Sequence, residues 1–249
     1  MAYRAPRPHA VKHSALQNRL SRIAGGALFV LVMVVFAGIA ERAIPPQHAP
    51  WKPLRLIDPV GAATRIKAAR AGEDPAACRA ILRRAGLEFS EVESRVPAPG
   101  CVIEDAITLD SGLAPMTPSK PVMTCKEALA VSLWERQVVQ PAAYALLGEG
   151  VARIEHYGSY SCRRIYSARE GAMSQHATAD ALDVGAFRLT DGSTVSVLKD
   201  WNDPGPKGQF LRRVRDEACK VFGTVLSPDY NAAHNNHLHL DMAPYSLCS

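Results

Sequence analysis

His234-Asn235-Asn236-His237-Leu238-His239-Leu240-Asp241-Met242 packs three histidines and a carboxylate into a few residues near the C-terminus. Read as a β-strand, its side chains alternate between two faces. His237, His239 and Asp241 then point one way, and Leu238, Leu240 and Met242 the other. Such a strand rests one face on a core and presents a site on the other. Upstream, Ser174-Gln175-His176-Ala177-Thr178-Ala179-Asp180-Ala181-Leu182-Asp183-Val184 sets another His and Asp seven residues apart. Ala179 and Ala181 are small enough for a close backbone turn, and Asp180 reads as a solvated turn residue. Asp183 heads an apolar strand, where a carboxylate needs a partner.

Around these two segments the residues after Gly150 read as short strands bounded by Gly and Asp-Gly turns: VARIEHYGSYS, ALDVGAF, STVSVL, FGTVL and HLHLDM. QFLRRVRDEACKVF carries apolar residues at helical spacing, with Phe210, Val214, Ala218 and Val221 on one face. Before Gly150 the signals are helical. Asp74-Pro75 is an N-cap with proline at the first helical position, leading to a Gly86 stop. Thr124 and Glu127 form a capping box for CKEALAVSLWERQVV, and a further short helix follows Pro141 and ends at Gly148. The expected class is α+β: an N-terminal transmembrane helix, then helices, then a small antiparallel sheet carrying the site.

The N-terminal end sets the compartment. The chain is formally +5, yet Arg4, Arg7, Lys12, Arg19 and Arg22 fall in residues 1–22, which hold no acid. From Ile23 onward basic and acidic side chains balance at 24 each. The body is neutral, which argues against a nucleic-acid partner. Ile23 to Ala40 is 18 residues free of charge, roughly 27 Å as a helix and enough to cross a hydrocarbon core. The basic flank keeps the N-terminus inside and sends the bulk of the chain out. A retained anchor fits the length of this segment better than a cleaved signal peptide, although Gly38-Ile39-Ala40 offers a cleavage pattern. The expected plan is a cytoplasmic tail over 1–22, an inner-membrane anchor over 23–40, a proline-rich linker over 41–72 and an exported domain over 73–249. Trp51, Leu54 and Ile57 in the linker have two destinations, the domain or the membrane surface.

All six cysteines, Cys78, Cys101, Cys125, Cys162, Cys219 and Cys248, follow the membrane segment, and none forms a CxxC pair. In an exported domain they read as up to three disulfides, with fifteen pairings open.

Two histidines and an aspartate make an N/N/O ligand set that leaves a fourth tetrahedral position on Zn²⁺ for water. Zn²⁺ so held lowers the pKa of bound water and polarises a carbonyl, the requirement for amide hydrolysis. A histidine outside the ligand set supplies general base or intermediate stabilisation. Ser174 braces the turn before His176. Asp241 has two readings, an acceptor that orients a ligand histidine or a strand-edge charge. Arg163 can neutralise a substrate carboxylate or oxyanion, or form a solvated basic pair with Arg164.

The S-x-H-x(6)-D segment followed by H-x-H resembles the zinc peptidases of the lysostaphin, D-Ala-D-Ala metallopeptidase and hedgehog group. The longer run from Cys162-Arg163 through SQHATADALDV to FLRRVRDEACKVFGTVLSPDYNAAHNNHLHLDM is similar to the bacterial extensin-like C-terminal domain family, although the chain has no SPPPP repeat. His234-x-x-His237-x-His239 matches the spacing of the penicillin-insensitive murein endopeptidases. The resemblance implies that His176, Asp183 and His239 are zinc ligands, His237 the catalytic histidine and His234 a second one nearby. The D-Ala-D-Ala dipeptidase branch places a Glu three residues before the last ligand, and Asn236 stands there instead. The base is then a histidine, as the murein endopeptidase branch suggests, or lies elsewhere in the chain.

The function these readings imply is a membrane-anchored, periplasmic zinc peptidase acting on peptidoglycan. Two alternatives are a non-catalytic zinc-containing binding module of the cell envelope and a structural envelope protein held by disulfides. Nothing in the sequence names a protein partner.

Overall fold

A computed structural model describes residues 11–110 and 112–249. Arg4 and Arg7 of the basic tail lie outside the described residues. The first helix, α1 (Val11–Ala43), contains the uncharged run 23–40 and forms a unit of its own. Gln17–Ala43 has a mean hydropathy of 2.6 and no buried residue, long and apolar enough to cross a membrane or to serve as a signal sequence.

A second unit covers Pro46–Ser249. It therefore includes much of the stretch expected as a linker. Leu54 and Leu56 are buried in its core, and α2 (Thr64–Gly72) packs on the helices that follow. Lys67 Nζ donates to the Pro46 carbonyl at 2.9 Å, and Gln137 Nε2 to the Leu56 carbonyl at 2.6 Å. The prolines shape this segment without detaching it, because its apolar residues find a core to enter.

Helix α3 (Pro75–Arg84) starts at the expected cap, with Asp74 Oδ1 accepting from the Ala76 and Ala77 amides. Six short strands then precede the next helix: β1 (Phe89–Glu91), β2 (Arg95–Ala98), β3 (Cys101–Ile103), β4 (Ala106–Leu109), β5 (Met116–Thr117) and β6 (Val122–Thr124). The expected order of helices first and sheet second is thus corrected. None of these strands exceeds 4 residues, too few for period-two alternation to show in sequence.

Helix α4 (Cys125–Trp134) is capped by Thr124, whose Oγ1 accepts from the Glu127 amide at 3.1 Å. The capping box stops there. Glu127 is wholly buried and makes no return bond to Thr124, whose amide donates instead to the Ala179 carbonyl at 2.8 Å. A π-helical turn over Glu135–Val139 leads into α5 (Gln140–Leu147). Pro141 lacks an amide hydrogen, and the wider turn absorbs that missing bond. Gly148, left-handed at φ 75°, ends the helix.

The main sheet is built from β7 (Val151–Gly158), β8 (Ala181–Leu189), β9 (Thr194–Ser196), β10 (Thr224–Leu226), β11 (Leu238–Asp241) and β12 (Leu247–Cys248), with α6 (Val197–Asp200) and α7 (Pro206–Ala218) between them. Its strand order is β12-β10-β11-β8-β7-β5, antiparallel in the middle with a parallel pair at each edge. STVSVL turns helical at Val197 rather than remaining a strand. Leu182, Val184, Leu238 and Leu240 face the helical layer, where Trp134 contacts Phe187 and Phe222 and donates Nε1–H to the Val214 carbonyl at 2.9 Å. Alternation puts Asp183, His239 and Asp241 on the opposite face. Three disulfides close the domain: Cys78–Cys125, Cys101–Cys162 and Cys219–Cys248.

Candidate metal centre

Strands β8 and β11 pair so that Asp183 lies directly opposite His239. His176 reaches the same point from a 3₁₀ turn over Gln175–Thr178. Ser174 Oγ accepts the His176 amide at 3.3 Å and so braces the start of that turn. Ala179 ends it in a left-handed conformation, φ 56°, where a small side chain limits the strain. Potential ligand atoms of His176, Asp183 and His239 lie within 4.8 Å of one another.

The outer hydrogen bonds fix which nitrogen each ring offers. His176 Nδ1 lies 3.0 Å from the Ser159 carbonyl, and His239 Nε2 lies 3.0 Å from Asp241 Oδ2. A carbonyl and a carboxylate only accept, so those two nitrogens carry the ring hydrogens. His176 Nε2 and His239 Nδ1 are left with lone pairs that face each other at 3.2 Å. Asp183 Oδ2 stands 3.1 Å from the first, and Oδ1 2.9 Å from the second. Lone pairs converging in this way repel unless a cation stands among them. Without a metal a proton takes that role. Burial disfavours charge on His239, but hydrogen bonds to Asp183 and Asp241 outweigh it and raise its pKa to about 9. Burial likewise opposes ionisation of Asp183, yet His176 and His239 hold its pKa well below the usual carboxylate range. A divalent ion can replace the shared proton, and a metal-bound histidine donating its other N–H to a carboxylate or carbonyl is the ordinary arrangement. The donor set fits the ion.

Asp241 is fixed at both oxygens, since Oδ1 accepts the Ala243 amide at 2.9 Å. It orients His239 and does not lie at an exposed strand edge. Leu238 and Leu240 are fully buried and His239 and Asp241 nearly so, so β11 is covered on both faces, not half-buried as expected. Asp180 also departs from expectation. It is buried, pairs with Lys126 Nζ at 2.7 Å and accepts from Thr124 Oγ1 at 2.7 Å. The tight turn that delivers His176 draws Asp180 inward. Glu127 lies behind the site, its pKa pushed well up by burial and by the charges of Asp180 and Asp241.

His237 and His234 flank the group. His237 Nδ1 donates to Asn236 Oδ1 at 2.7 Å, and its Nε2 stands 3.5 Å from Asp183 Oδ1. His234 Nδ1 donates to Asn231 Oδ1 at 2.8 Å. Burial lowers both pKa values, that of His234 to about 4, with charge on neighbouring histidines adding to the effect. Both rings are therefore neutral near pH 7 and present an unprotonated Nε2. A cleft of about 300 Å³ opens over the group, and Arg163, Tyr166, Tyr230 and Tyr245 share its lining with the histidines. The Arg163 guanidinium has no carboxylate partner among the described residues.

Sequence reading missed the orienting groups. Asn231 accepts from both the Ala233 amide and His234, and donates Nδ2–H to Tyr166 Oη at 2.9 Å. Its spacing three residues before His234, that of a cap, was the available signal. Tyr157, edge-on to His237 at 5.9 Å, and the Ser159 carbonyl carried none.

The molecule is thus a disulfide-stabilised α+β domain with a buried group of two histidines and an aspartate, able to hold a metal ion, on the floor of a cleft. Residues 76–249 match the family model described as extensin-like protein C-terminus, and the chain belongs to that family. No curated protein and no solved structure matches it.

Proposed function

We propose that this chain is a membrane-anchored, exported zinc peptidase that hydrolyses amide bonds in peptidoglycan stem peptides or cross-links. The observation that carries the reading is the convergence of His176 Nε2, His239 Nδ1 and the Asp183 carboxylate, with both rings held from behind, beside two neutral histidines. The choice of zinc and of peptidoglycan draws on the resemblance to the D-Ala-D-Ala metallopeptidase and murein endopeptidase group.

His176, Asp183 and His239 hold the ion. Bound there, zinc supplies a Lewis acid that acidifies water and polarises the scissile carbonyl. His237, neutral and with Nε2 turned toward Asp183, accepts the proton released in attack and returns it to the leaving amine. His234 lies behind it, ring centroids 5.2 Å apart, and Asn231 fixes its tautomer. Arg163 pairs with a substrate carboxylate or the developing oxyanion. Helix α1 anchors the chain, and the five basic residues of 1–22 hold its N-terminus in the cytoplasm, leaving the cleft in the periplasm.

The test is zinc analysis of the full chain, followed by mass spectrometry of fragments released from purified sacculi with and without chelator. One zinc per chain and chelator-sensitive release of stem-peptide products are expected. Bound zinc without released fragments would identify a binding module instead, and a folded chain that takes up no zinc overturns the metal centre.

A further inference from the structure

Of Trp51, Leu54 and Ile57, the three apolar residues whose destination the sequence left open, only Leu54 enters the core. Ile57 is 67% exposed and Trp51 54%. Ile57 borders a groove of about 540 Å³ whose apolar walls include Leu56 and Ile81 and whose polar groups are Arg55, Arg84 and Arg136. Among the described residues none that lines it is acidic. Arg84 Nε donates to the Ala80 carbonyl at 3.2 Å and Arg136 Nη2 to the Ala85 carbonyl at 3.4 Å. Neither guanidinium forms an ion pair among the described residues. No hydrogen bond or ion pair engages the Arg55 side chain among the described residues. The groove shares no residue with the histidine cleft.

Three unpaired guanidinium groups around an apolar trough complement a surface that is anionic outside and apolar beneath. Guanidinium forks bind phosphate, and tryptophan favours the membrane interface. Nine residues separate Ala43, the last of α1, from Pro53. A bilayer that holds α1 therefore offers its surface to this groove at high effective concentration.

We infer that this groove docks the domain on an anionic phospholipid surface, with Arg55, Arg84 and Arg136 on headgroup phosphates and Ile57 entering the interface. The inference rests on α1 being a retained membrane span. It does not depend on any catalytic activity.

The test is hydrogen exchange of the full chain in nanodiscs of phosphatidylcholine, alone or mixed with phosphatidylglycerol. Amides of 54–57 and 81–85 should exchange more slowly in the anionic discs. Each arginine near such a surface is worth roughly fivefold in binding. Arg55→Gln should remove that much of the protection, and Arg55→Gln/Arg84→Gln/Arg136→Gln about a hundredfold. Arg55 has no structural bond to lose, so the single variant keeps the test valid if the triple variant misfolds. Protected amides over 23–40 with equal exchange at the groove in both discs overturns docking and leaves the anchor standing. A chain that leaves the discs overturns the anchor. Docking is then read by flotation of the released chain with phosphatidylglycerol vesicles, and it fails if the chain stays unbound.

Discussion

At the scale of the residue, every ring of the group has one nitrogen committed and one offered. His239→Ala and Asp183→Ala each remove a ligand and should abolish stoichiometric metal uptake, read by elemental analysis of the folded protein. Asp241→Asn keeps the shape of the acceptor but not its charge. Loss of a partner behind a ligand typically costs 10- to 100-fold in metal affinity, and competition with a chromophoric chelator would measure it. His237→Ala should retain zinc while turnover falls by roughly 10²–10⁴. Activity surviving in that variant would remove His237 from the role of base. His234 adds a pH dependence. Its ordinary pKa is 6.5, and in the fold it is about 4. Between those values the unfolded chain binds the proton more readily, so stability falls as the pH drops from about 6.5 through about 4. His234→Ala should flatten that part of a urea-midpoint profile, and an unchanged slope would show that His234 does not cause it.

Among the elements, the β8–β11 pairing does the decisive work, because register alone sets Asp183 against His239. Gly185 belongs to the same strand. A Cβ there would meet Tyr157 Cζ at 2.7 Å, and Tyr157 backs His237. Gly185→Val should push the tyrosine aside and lower turnover with zinc content unchanged, a separation visible by assaying both in one preparation. The π turn carries Glu135, which burial raises to a pKa of about 7 against the hydrogen bonds it accepts from the Ala114 and Leu113 amides. A carboxyl raised in this way stabilises the fold at low pH, and that contribution is lost as the pH climbs from about 4.5 to about 7. Glu135→Gln keeps an acceptor and should raise stability above pH 7 by roughly 2–3 kcal/mol, measured by denaturant unfolding. The Cys101–Cys162 disulfide ties β3 to the loop bearing Arg163 across 61 residues. Replacing both cysteines by serine should cost about 2–4 kcal/mol in the same measurement.

For the whole molecule, a metal that binds only the folded state makes stability depend on its concentration. At about a thousand times Kd the gain is roughly 4 kcal/mol, so chelation should lower Tm by on the order of 10 °C in a scanning experiment. The formal +5 belongs to the tail 1–22, so the neutral body exerts no long-range pull on a charged ligand. Much of this was legible in one dimension. The uncharged run 23–40, the Asp74-Pro75 cap, the Gly148 stop and the even set of cysteines each act within a few residues or through composition, so the order of residues determines them. Alternation in 237–241 also separates a core face from a site face before any fold is known. Other features depend on contacts between distant segments. The strands of 89–124 are too short to show a period, and the 46–72 stretch is held by Leu54, Leu56 and Ala68 meeting a core made elsewhere. The pairing of the cysteines was equally hidden. Tertiary structure also decided the chemistry of the centre. The offered nitrogen of His176 is fixed by a carbonyl 17 residues away; that of His239 is fixed by Asp241 two residues on, but it meets Asp183 and His176 only when segments 56 and 63 residues distant converge. The sequence by itself determined which side chains are able to hold a metal and which stretch is apolar enough to cross a membrane, because residue type and local period suffice for that. Only the tertiary structure decided where the lone pairs point, since their direction is set by partners that the chain brings together when it folds.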